Sequence, residues 1–186
     1  VHTKNKKQIP VSWVHAGELK KGDVVLYPIP KDIRDVGKIE LPKTQRKPFD
    51  FKSRQLPPII PLNHEVLELF GYFVAEGHTK DQKEVGFTFG IGEIAYVKRV
   101  RLLIKKYFGL ESSYRIRESN NRIDVIVYNI HLAKIFKEWF GDSAERKNVP
   151  EVILFLDPSV QRGFIRGVWR GDGYFSATRS QPRAGF

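Results

Sequence analysis

The chain has 186 residues, of which 41% are hydrophobic and 28% charged, a globular balance that excludes a disordered polymer. No apolar run approaches about 18 residues, so no membrane span and no membrane partner is expected, and no secretory signal is visible. Lysine and arginine number 32 against 21 acids, a formal charge of +11 that favours a polyanionic partner, nucleic acid first.

The absence of cysteine excludes disulfides and thiolate metal sites and points to an intracellular compartment. The five histidines show no zinc spacing, and His78 reads as a loop residue rather than a ligand. The chain starts at Val1 and contains no methionine, so a fragment or excised product is expected rather than a primary translation product.

In chain order, residues 1–30 read as strands, "VSWV", "AGELKKGD" and "VVLYPIP", with a turn at 20–23. Residues 31–60 hold several prolines and the basic segment "KTQRKPFDFKSR", and predict a linker or extended basic arm, solvated or touching DNA. From Asn63, a fair N-cap, Val66, Leu67, Phe70, Gly71 and Val74 fall on one helical face. "EVGFTFG" (84–90) alternates as a strand, and residues 94–109 form a basic amphipathic helix ended by Gly109. "SYRIRE" and "RIDVIVY" flank Ser119, Asn120 and Asn121, a hairpin signal. Residues 130–141 are a further helix with a glycine stop, and a last helix runs from about 159 to 172. The expected class is α+β, with one α-β-β-α-β-β-α unit at 61–158 and a second begun and truncated at 159–186.

Two helices carry matching ends. Gly71 and Ala75 share a face of one, Gly167 and Gly171 a face of the other, so the two backbones can approach closely. Each helix then delivers a carboxylate before a glycine, Glu76 before Gly77 and Asp172 before Gly173. Side by side, those charges repel unless a cation bridges them. Carboxylate oxygens with water and phosphate suit Mg²⁺, with Mn²⁺ as the alternative, and a metal so held can promote phosphodiester hydrolysis.

The stretches "LFGYFVAEG" (69–77) and "IRGVWRGDG" (165–173) resemble the paired motifs of LAGLIDADG homing endonucleases, one repeat unit apart. "ERKNVPEVILFLDPSVQRGFIRGVWRGDGYF" looks like the intein-encoded (dodecapeptide) subgroup, and the resemblance makes Lys147 catalytic. The metal site it implies comprises Glu76, Asp172, Gly77 and Gly173. "VSWVHAGELKKGDVVLYPIP" is similar to part of an intein splicing domain of the Hint-like β type, but without the TxxH block or the N-terminal nucleophile, so the chain should not splice. The implied activity is site-specific double-strand cleavage of a long asymmetric DNA site. The alternative is a non-cutting DNA-binding or RNA-maturase relative, a reading that Arg170, at the sixth position of the second motif, favours. With the second repeat incomplete, the resemblance implies half of a DNA saddle, and self-association through the motif helices is the route to the other half.

On the strands, Tyr114 and Ile116 point one way and Arg115 and Arg117 the other, while Ile123, Val125 and Val127 leave Arg122 and Asp124 opposite. A sheet face carrying Arg115, Arg117 and Arg122, with Lys80 and Lys83 nearby, is the expected DNA-binding surface.

Overall fold

A computed structural model describes residues 12, 14–25, 32–34, 36–43, 54–178 and 181–185. Strand β1 (Lys38–Glu40) pairs antiparallel with β2 (Ile59–Pro61) immediately ahead of helix α1 (His64–Glu76). The Asn63 side chain accepts from the N–H groups of Glu65 and Val66, which satisfies two otherwise orphaned donors and fixes where α1 begins. Strand β3 (Gly77–Lys80) follows without a loop, and a tight turn leads into β4 (Glu84–Gly90). Helix α2 (Ile94–Phe108) stops at Gly109, and β5 (Ser113–Arg117) and β6 (Arg122–Tyr128) form a hairpin through a short 3-10 turn and Asn121. Then come α3 (Ile130–Phe140), the single turn α4 (Glu151–Leu154), α5 (Pro158–Asp172), and a hairpin of β7 (Tyr174–Thr178) and β8 (Gln181–Gly185). The whole is α+β with antiparallel sheets.

The central sheet runs β3-β4-β6-β5, all antiparallel. Its register places Val85 opposite Val127, Phe87 opposite Val125 and Phe89 opposite Ile123, and all six are buried against the helices. The period of two that buries these residues puts their neighbours on the other face. Phe70 and Phe73 from α1 meet Phe136 and Phe140 from α3, with the Phe73 and Phe136 rings 4.8 Å apart and edge to face. Helix α2 adds Val97, Val100, Leu103, Ile104 and Phe108 to the same core.

Two expectations change. Of the stretches expected as strands before residue 31, residues 16–18 form a 3-10 turn, and no strand precedes Lys38 among the described residues. Val11 and Trp13 of "VSWV" and most of "VVLYPIP" lie outside the described residues. The segment 31–60, expected as a linker or arm, is anchored at both of its ends. Leu41, Leu56 and Ile60 are buried in the core, and the Leu41 N–H donates to the Pro58 carbonyl. Three-residue strands paired across some twenty positions carry too little alternation to show as a sheet in the sequence.

Candidate functional site

Helices α1 and α5 lie in backbone contact. A Cβ on Gly71 would sit 2.1 Å from the Phe164 carbonyl oxygen, and one on Gly167 would sit 2.2 Å from that of Glu68. Gly163 repeats the pattern against His64, at 2.1 Å. Backbone cannot yield as a flexible side chain can, so only glycine allows this approach. Gly163 and Gly167 are the buried residues of α5, whereas most of α1 is buried among the other helices and the sheet. Between the helices lies Glu68, 1% exposed, held by Arg99 at 2.8 Å from α2 and by Arg170 from α5. Arg170 also donates to the Tyr72 hydroxyl. A buried carboxylate held by two guanidiniums is neutralised where it stands, and it ties α5 to α1 by charge as well as by shape.

At the far end of this contact the two helix-end acids come together. A Cβ on Gly171 would lie 2.4 Å from Ala75 Cβ and 3.5 Å from Glu76 Oε1. Burial, with Asp172 and Glu93 adding like charge, pushes the Glu76 carboxyl up to about 7, against a smaller opposing pull from Lys147. Among the described residues neither Glu76 nor Asp172 has a hydrogen-bond or ion-pair partner. Asp172 is exposed and Glu76 half-buried.

Lys147 completes the group. Its Nζ donates to the carbonyls of Phe73 and Gly77, at 2.6 Å each, and lies 4.0 Å from the centroid of the Phe73 ring. It therefore caps the C-terminal end of α1, where orphaned carbonyls gather. Burial lowers its pKa to about 8, against the raising influence of Asp172 and Glu76. The loop that carries it is set by Gly141 (φ 83°), where a Cβ would fall 1.9 Å from the Arg146 carbonyl oxygen. The Asn148 N–H then returns to the Phe140 carbonyl, which fixes Lys147 above the end of α1.

Of the residues expected to hold metal, Glu76 and Asp172 adjoin, and their oxygens have no partner among the described residues. The Gly77 carbonyl instead accepts the Lys147 ammonium, and the Gly173 N–H donates to the Trp169 carbonyl. No cluster of three or more His, Cys, Asp or Glu suited to a metal occurs among the described residues. Two carboxylates in mutual repulsion are a donor set that fits a hydrated divalent cation whose other ligands are water and phosphate.

The sheet face away from the helices carries the expected basic residues. The register sets Arg117 opposite Arg122, Arg115 opposite Asp124, and Asp124 opposite Thr88. His78, half-buried, lies across Gly86, where a Cβ would meet its ring at 2.4 Å, and burial holds its pKa below the ordinary value. It stands in strand β3 rather than in the loop expected for it. Lys80 ends β3 opposite Glu84, and Lys83 is exposed in the turn that follows. On the helix side Tyr114 and Ile116 remain about half exposed, at 47% and 51%, because β5 is an edge strand that α2 does not fully cover.

Sequence reasoning missed Glu68 as the anchor of Arg170, and Asp124 as the partner of the sheet arginines. An acid inside the apolar run "EVLELFGYF" was the visible signal for the first. The second needed the strand register.

No family model matches the chain. Over 86% of its length it is 32% identical to an uncharacterized protein of Methanocaldococcus jannaschii, and over 94% it is 29% identical to the ATP-dependent DNA helicase Hel308 of Thermococcus kodakarensis. It spans 21% and 17% of the lengths of these curated relatives. A solved structure of I-DmoI in complex with DNA and Mn aligns over 61% of this chain and 64% of that one, with a TM-score of 0.41 and 17% identity.

Proposed function

We propose that the chain is the nuclease unit of a LAGLIDADG-type, intein-encoded homing endonuclease that hydrolyses phosphodiester bonds at a specific duplex site. The observation that carries this reading is the glycine-lined contact of α1 with α5, which delivers Glu76 and Asp172, both unpartnered among the described residues, to one place beside the half-buried Lys147. Glu76 and Asp172 would hold a divalent ion, Mg²⁺ or Mn²⁺. When bound, such an ion supplies charge neutralisation at the scissile phosphate.

The chain's own residues do the rest. The two helix ends fix both carboxylates on rigid elements, so their separation does not depend on a loop. The Lys147 ammonium has three N–H donors, and two reach carbonyls. The third has no partner among the described residues, which leaves it for a phosphate oxygen or for water. A pKa near 8 lets this group give or take a proton close to neutral pH. The basic sheet face, with Arg115, Arg117, Arg122, Lys80 and Lys83, would track the duplex. Because the chain matches only about a fifth of its curated relatives, we read it as a module carried within larger proteins. In that reading residues 1–30 are the splicing-domain flank, 31–60 the connection, 61–158 the first repeat and 159–186 the start of a second.

Duplex affinity measured in Ca²⁺ and cleavage measured in Mg²⁺, on the wild type and Glu76→Gln, test the reading. Retained affinity with cleavage reduced by 10²-fold or more supports an enzyme. An equal absence of cleavage in both proteins, with binding retained, would sink it in favour of a binder that keeps the fold.

A further inference from the structure

Asp124 is an acid at the centre of a basic face, and it plays no part in the hydrolytic group. It is only 7% exposed. Its Oδ2 accepts from Arg117 Nε at 2.6 Å, and its Oδ1 accepts from the Thr88 hydroxyl at 3.3 Å. Arg122 Nε also lies 3.3 Å from Oδ1, yet it is buried and makes no hydrogen bond there. Arg117 therefore faces the carboxylate with the inner edge of its guanidinium, whereas Arg122 is held beside it by charge without a hydrogen bond. Their side chains are still 42% and 40% exposed. Among the described residues the terminal Nη groups of both have no partner.

Such an arrangement weakens capture of phosphate, because one carboxylate cancels half the charge of two guanidiniums. What it leaves is direction. With Arg117 Nε bonded to Asp124, its remaining pair of parallel donors is the Nη1/Nη2 fork, presented end-on from a strand that cannot swing. Parallel donors of this kind match the O6 and N7 acceptors that guanine shows in the major groove, and no other base edge presents that pair. Asp124 is not itself placed to read cytosine, since it is buried and its oxygens are occupied.

Resting on the duplex-DNA reading above, we propose that Asp124 is a positioning residue that aims Arg117 at a guanine, making the centre of the sheet face a guanine-selective subsite. The test is selection of a randomised duplex library on the full chain in Ca²⁺, comparing wild type, Arg117→Lys and Asp124→Asn by sequencing. The wild type should enrich guanine at one position by roughly tenfold or more. Arg117→Lys should lose this preference. Asp124→Asn should flatten it, while binding unselected duplex at least as tightly as the wild type, because one negative charge is gone. A structural role alone would lower affinity without altering base preference. Unchanged preference in Asp124→Asn, or an Arg117→Lys variant that keeps the guanine, would overturn the assignment; should Asp124→Asn not fold, Arg117→Lys decides it. Duplex binding without any guanine preference overturns this inference alone. No salt-sensitive duplex binding at all overturns the DNA reading and this with it.

Discussion

Glu76 is a half-buried acid without a hydrogen-bond or ion-pair partner among the described residues. Its carboxyl titrates near 7 in the fold and near 4.5 when unfolded, so between those values the folded state binds the extra proton. Stability contributed at this position is therefore greatest below 4.5 and falls as pH rises towards 7, above which the full penalty of a half-buried charge applies. In metal-free buffer Glu76→Gln should be the more stable protein at pH 8, by on the order of 1–2 kcal/mol, and should match the wild type at pH 4. Thermal melts at the two pH values check this, and a gain of the same size at both would refute the assigned environment. Lys147 bears on chemistry and folding together. Lys147→Met should abolish cleavage and also cost about 1–3 kcal/mol, since it leaves the Phe73 and Gly77 carbonyls without their ammonium. Denaturant titration beside a cleavage assay separates the two effects.

At the scale of elements, the contact of α1 with α5 decides whether the site exists. Gly71→Ala or Gly167→Ala places a methyl within about 2 Å of a carbonyl oxygen of the facing helix, so the helices must separate. The expected cost is about 1–3 kcal/mol or more, together with loss of cleavage because Glu76 and Asp172 move apart. A variant that melts like the wild type and still cleaves would contradict this. Glu68 is the polar counterpart. Glu68→Gln removes the carboxylate that Arg99 and Arg170 share, though Arg99 keeps Glu65 at 3.1 Å, and should destabilise the fold by about 1–3 kcal/mol, read from denaturant midpoints. These elements also show what the sequence could and could not disclose. The cap at Asn63, the alternation of residues 84–90 and the stop at Gly109 are local signals, and the helices and strands they mark follow from them. The pairing of Lys38–Glu40 with Ile59–Pro61 is non-local and short, so composition alone read it as a linker. Arg170 looked like a departure from a motif, whereas its partner Glu68 lies 102 positions away and only the packed helices bring the two together.

For the whole molecule, the charge of +11 sets the long-range behaviour. Duplex affinity should fall linearly on a log–log plot against salt, and each basic sheet residue replaced by alanine should reduce the slope by about 1 if it neutralises one phosphate. Arg115, opposite the buried Asp124 and without a partner of its own among the described residues, should show this more fully than Arg117, which shares a carboxylate. The helix-end acids were legible in the sequence because both precede glycine in matching helices. Their adjacency, the cap formed by Lys147 and the acid beneath the arginines depend on three-dimensional register. The most direct measurement of the central claim is cleavage of genomic DNA in Mg²⁺ with the new ends mapped by sequencing, for wild type, Glu76→Gln and Asp172→Asn in parallel. Recurrent ends at a defined site in the wild type, lost in both variants while duplex affinity persists, are the predicted result. Ends that persist in either variant, or none in the wild type despite duplex binding, would contradict the assignment of Glu76 and Asp172 as one hydrolytic centre.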